Sequence, residues 1–90
     1  MLNEKVAKLL NEQVNKEFYS AYLYLSFSNF YKDLGLDGFA NWYNVQAQEE
    51  RDHAMLFIQY MQNNDVPVTL EAIEKPDAKL KEKMDALKAG

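Results

Sequence analysis

The chain has 90 residues, 48% of them hydrophobic and 27% charged, with three glycines and two prolines, which fits one small ordered domain. It has no cysteine, so a disulfide framework, a thiolate metal site and dithiol redox chemistry are excluded. The formal net charge of −4 comes without a basic stripe, which argues against sequence-independent nucleic-acid binding. No stretch approaches the roughly eighteen apolar residues of a membrane span, and Met1-Leu2-Asn3-Glu4-Lys5 lacks the pattern of a signal peptide, so a cytoplasmic protein is expected.

Residues 3 to about 33 are expected to form one long helix. Val6, Leu10, Val14, Ala21, Tyr24 and Ser28 recur at spacings of three, four or seven, with no internal Gly or Pro. Asp33-Leu34-Gly35-Leu36-Asp37-Gly38 supplies a stop and a restart, with Gly35 in a left-handed position and Asp37 as a cap. A second helix is expected from about 38 to 63. Its inward stripe is read as Phe39, Tyr43, Gln46, Glu50, His53, Phe57 and Tyr60, accompanied by Ala47, Ala54 and Met61. Val66-Pro67-Val68-Thr69-Leu70 reads as extended, because Pro67 disfavours helix for itself and its predecessor. The fold class is all-α: a long antiparallel helical hairpin over residues 1–76, then a short amphipathic helix or tail over 77–90 edged by Leu80, Met84 and Leu87.

A hairpin alone cannot surround a core. From Phe18 to Tyr31 there is no charged residue, and Phe18, Tyr19, Tyr22, Leu23, Leu25, Phe27 and Phe30 fall outside the main stripe. A helix apolar on several faces is buried on several faces. The smallest closed solution is a homodimer of hairpins about a two-fold axis, making a four-helix bundle; larger even-numbered oligomers satisfy the same need.

Three residues interrupt the apolar stripes with chemistry. Glu17 lies three residues after Val14 and four before Ala21, so it points where the core should be. Glu50 and His53 are three apart and therefore neighbours on one helix face. Counted from Gly35, Glu17 lies 18 residues before the turn, His53 18 after and Glu50 15 after. All three thus stand at one level, roughly 22–27 Å from the turn at 1.5 Å per residue. Ionised carboxylates in a core cost several kcal/mol each unless paired or metal-bound. One imidazole cannot compensate two carboxylates, and a metal ion can. Two blander readings stand beside this: Glu49-Glu50-Arg51-Asp52-His53 as a solvated charge run, or Glu17 paired with a basic residue of a partner chain.

Asn11-Glu12-Gln13 with Glu17 downstream, the aromatic-rich run from Glu17 to Tyr31, Glu49-Glu50-Arg51-Asp52-His53-Ala54 and Val66-Pro67 together resemble the N-terminal half of a bacterial non-haem ferritin. The resemblance covers residues 1 to 76, two helices and the start of a crossover. It implies half of a ferritin-like four-helix bundle, with Glu17, Glu50 and His53 as first-half ligands of a ferroxidase centre. It also implies Glu49 at an accessory iron position found in some members, and Tyr24 beside the centre. Two copies would supply a complete set for two irons per dimer, each Glu50 bridging the metals, with zinc or manganese as possible substitutes. Haem is not expected, since Arg51 and Asp52 stand where the haem-binding relatives place a methionine. The implied function is oxidation of Fe(II) to Fe(III) at a di-iron site between chains, serving iron storage or detoxification. The alternative is a ferritin-half assembly module without efficient ferroxidase activity.

Overall fold

Asn3 starts the first helix. Its backbone is extended, and its Oδ1 accepts a 2.8 Å hydrogen bond from the Val6 N–H, satisfying one amide of the first turn. The helix that follows, α1, runs Glu4–Asp33 in a computed structural model that describes residues 3–76. It closes with Gly35 at φ 76°: the Gly35 N–H donates to the Lys32 carbonyl and the Leu36 N–H to the Tyr31 carbonyl, both at 2.9 Å. That pair of bonds caps the helix and reverses the chain.

The second helix, α2, spans Asp37–Asn63. Asp37 was expected to cap it and does not. Leu36 holds the cap position without a side-chain hydrogen bond, while the Asp37 carboxylate accepts from Lys32 Nζ at 3.0 Å across the turn. The reversal is so tight that the helix begins one residue early, and Asp37 joins the first turn, where a negative charge suits the helix dipole. α2 ends as α1 does, with the Val66 N–H on the Met61 carbonyl at 2.9 Å and Asp65 at φ 58°; aspartate tolerates this left-handed conformation better than most residues. The described residues contain two helices and no strand, and none of their helices is long and apolar enough to cross a membrane.

What joins the two helices is a seam of small side chains. Ala40, Ala47, Ala54 and Met61, seven apart, are the buried residues of α2, and Val14 and Ala21 are buried opposite them. Ser28 Oγ donates to the Ala40 carbonyl at 2.7 Å and fixes the register at the turn end. Successive steps of seven then bring Ala21 level with Ala47 and Val14 level with Ala54. This corrects the expected stripe of α2: Phe39, His53 and Tyr60 are exposed, and Tyr43, Gln46, Glu50 and Phe57 are only partly buried. Alanine lets the backbones approach, so the bulkier stripe flanks the seam instead of entering it. Towards the turn, Phe27, Tyr31 and Ala40 form a small core with Leu23, Tyr24, Phe30 and Tyr43 against it.

Beyond α2 the chain is extended, as expected for residues 66–70, and lies along the first half of α1. Side-chain amides hold it there. Asn11 Oδ1 accepts from the Thr69 N–H at 2.8 Å, Asn15 Nδ2 donates to the Thr69 carbonyl at 3.0 Å, and Asn15 Oδ1 accepts from the Glu71 N–H at 2.8 Å. These amides stand in for the neighbouring strand that the segment lacks. The helix or tail expected over 77–90 lies outside the described residues.

Two substitutions test this account. Ala54 is fully buried, so Ala54→Leu should push the helices apart and lower unfolding stability by about 1–3 kcal/mol in urea titration. A Cβ on Gly35 would meet nothing within 4 Å, so Gly35→Ala should cost only the backbone term, about 1 kcal/mol, with an unchanged circular dichroism spectrum.

Candidate metal centre

The seam determines what flanks it. On α1, Leu10, Glu17, Tyr24 and Tyr31 form one row beside the seam line of buried Val14 and Ala21 and half-buried Ser28. On α2, Tyr43, Glu50 and Phe57 form the matching row, with Gln46, His53 and Tyr60 next to it. The carboxylates therefore meet midway along the hairpin.

One ligand-type atom from each of Glu17, Glu50 and His53 lies within 4.8 Å of the others. His53 Nδ1 stands 3.8 Å from Glu17 Oε2 and 3.7 Å from Glu50 Oε2. These are not hydrogen bonds but the separations of donors arranged around a gap. The side chains are 14%, 22% and 55% exposed for Glu17, Glu50 and His53, so the cluster is walled by the hairpin on one side and open on the other. Gln13, one turn before Glu17, donates from Nε2 to Glu17 Oε1 at 2.8 Å. The other oxygen, Glu17 Oε2, is buried and receives no hydrogen bond.

Crowding divides the protonation of the two carboxyls. Burial pushes Glu17 upward, but the Glu50 carboxyl beside it, the Gln13 hydrogen bond and the charge of His53 outweigh it and hold Glu17 below its ordinary value. Glu50 is held above its ordinary value, first by the Glu17 carboxyl beside it, then by burial and by the Glu17 charge, with His53 acting the other way. The pair keeps a proton longer than two free glutamates would. A cation is a better partner, since it satisfies both carboxylates and the orphaned Oε2 together. Two oxygen donors and one imidazole suit iron, manganese or zinc.

Glu17, Glu50 and His53 are thus brought together. Glu49 is exposed and outside this cluster. Tyr24 is half-buried two turns nearer the hairpin bend, in ring contact with Phe27 and Tyr43 at centroid distances of 6.4 and 6.0 Å. Gln13 had been given no role from sequence. The signal was its place one helical turn before a core-facing glutamate, a spacing at which amides and carboxylates pair.

Residues 7–89 match the model of the ferritin-like domain. The chain belongs to the ferritin-like family. It is 42% identical over 85 residues to a bacterial non-heme ferritin of Campylobacter jejuni, covering 94% of this chain and 51% of that protein. A probable bacterial non-heme ferritin-like protein of Haemophilus influenzae is 41% identical over 76 residues, 84% of this chain and 46% of the relative. Among solved structures, a closed form of the Archaeoglobus fulgidus ferritin engineered by mutagenesis superposes with a TM-score of 0.81 at 44% identity, over 83% of this chain and 46% of that one. The chain spans about half the length of the relatives it matches. The family match runs past residue 76, the limit of the sequence resemblance; the Lys- and Ala-rich end carries few distinctive residue types.

The upward shift of Glu50 gives a pH signature. A raised Glu50 stabilises the metal-free fold fully below the ordinary carboxylate value of 4.5, and that contribution is lost as pH rises through its folded value. Glu50→Gln keeps a neutral donor at every pH. The metal-free variant should exceed wild type by roughly 0.5 kcal/mol at neutral pH, an amount moderated by solvent at this half-open face. The difference should close as thermal melts are repeated at falling pH.

Proposed function

We propose that this chain oxidises Fe(II) to Fe(III) in the cytoplasm, at a di-iron site formed where two copies face each other, and so serves iron storage or detoxification. The observation that carries the reading is the buried, donor-free Oε2 of Glu17 converging with Glu50 and His53 on the half-open face of the hairpin. Family membership supports iron as the cation, because the relatives matched over this half are ferritins.

The charge arithmetic suits two ions. A pair of facing hairpins brings four carboxylates and two imidazoles, so four negative charges meet two Fe(II). Oxygen-rich donors favour the harder ferric ion over the ferrous one, which lowers the potential at which iron gives up its electron. With dioxygen as oxidant the balance is two Fe(II), one O2 and two protons giving two Fe(III) and one hydrogen peroxide. His53 supplies Nδ1 towards the carboxylates, and its exposed ring leaves a path for iron from solvent.

The face itself supports pairing. Phe39, Trp42, Leu56 and Tyr60 are exposed on the side of α2 that carries His53, an apolar surround that a second hairpin would cover.

The test is to load the metal-free chain anaerobically with graded Fe(II), admit oxygen, follow ferric absorbance and measure mass in solution. Saturation near one iron per chain in an even-numbered oligomer is expected. Glu50→Ala and His53→Ala should each slow oxidation by at least about tenfold while retaining helix content. Oxidation at the buffer rate in wild type would instead leave an assembly module without ferroxidase chemistry.

A further inference from the structure

Glu17 is held by a single neighbour. Gln13 Nε2 donates to Oε1 at 2.8 Å, and Oε2 is left buried with no donor, 3.8 Å from His53 Nδ1. An ionised carboxylate only accepts, so the amide nitrogen of Gln13 is the group that faces it. One oxygen is thus engaged from within the same helix, and the other is turned into the cluster.

We infer that Gln13 is a positioning residue for the candidate metal centre: by occupying Oε1 it presents Oε2 alone, making Glu17 a one-oxygen ligand. The inference rests on the di-metal reading above and deepens it. Glutamates bind cations through one oxygen or both, and rotation about the last side-chain bond is soft. A donor on Oε1 removes that choice before a cation arrives. Its chemical type matters as well. A lysine or arginine at this position would orient the carboxylate equally well but would place a positive charge beside the incoming ion. The carboxamide orients without repelling. Limiting Glu17 to one oxygen also leaves a coordination position on the metal for the oxidant or for water.

The experiment titrates the metal-free full chain with Co(II) and reads its visible ligand-field absorption, whose intensity per bound ion falls as coordination number rises. Gln13→Met keeps length and removes the donor; Gln13→Ala removes the donor with the strongest helix former, so the helix survives at least one of them. In both variants Oε1 becomes free to join Oε2. The expected result is a clear drop in absorbance per bound Co(II), with about tenfold weaker binding as orientation is lost. A wild-type spectrum in both variants overturns the inference, even if binding weakens, because Gln13 would then merely support the helix. Failure of the wild-type chain to bind Co(II) at all would remove the metal-centre reading itself, and this inference with it.

Discussion

Everything about this site depends on how closely α1 and α2 approach. Ala40, Ala47 and Ala54 on one helix and Ala21 and Ser28 on the other present little side chain to the seam, which lets the two helices approach closely. A close seam is an intolerant one. Sliding either helix by one residue would turn its face by about 100° and drive a larger side chain into an alanine position. The register is therefore unique, and the Ser28 hydroxyl on the Ala40 carbonyl secures it at the turn end. Glu17, Glu50 and His53 sit in rows flanking the seam, so the packing that selects the register also brings their ligand atoms together. No loop is needed to form the site, and rigid helices hold it.

Electrostatically the cluster is unfinished. The imidazole facing the two carboxylates, that of His53, is more than half exposed and beyond hydrogen-bond distance of both. A structural ion pair would have closed to contact and satisfied Oε2. Here the geometry stays open, and the opposite shifts of Glu17 and Glu50 record two acids crowded together. Repulsion alone would separate them, but their backbones are fixed by the seam. The hairpin thus holds the carboxylates at a spacing that is unfavourable without a cation and favourable with one.

The helices, the turn at Gly35 and the three converging residues were legible because each rests on a local signal: periodicity, a glycine between two runs, ligand-type residues interrupting apolar stripes. What escaped were choices between neighbouring faces. Phe39 and Tyr60 are more hydrophobic than Ala40 and Ala47, so hydrophobicity nominates the aromatics for the inward line; close packing favours the alanines. Asp37 looked like a cap because aspartate before a helix usually is one, but the tightness of the reversal is a tertiary property. The clamp of Asn11 and Asn15 on Thr69 and Glu71 joins residues more than fifty positions apart, and nothing in an asparagine announces so distant a partner. Gln13 was visible as a residue and silent as a role, because its partner had first to be placed.

The position of the exposed apolar residues links assembly to chemistry. Phe39 and Tyr60 share the row of His53, and Trp42 and Leu56 lie in the row beside it. Whatever covers these side chains also covers the carboxylates, and taking an unsatisfied carboxylate further from water costs several kcal/mol. With no cation, burial of the apolar face is opposed by the acids at its centre. With a cation bound, the opposition disappears and the ion pairing strengthens as water leaves. Cation binding and closure of this face must therefore favour one another, each by the same factor, because both act on one free-energy cycle. Separate functional and assembly surfaces would lack this coupling.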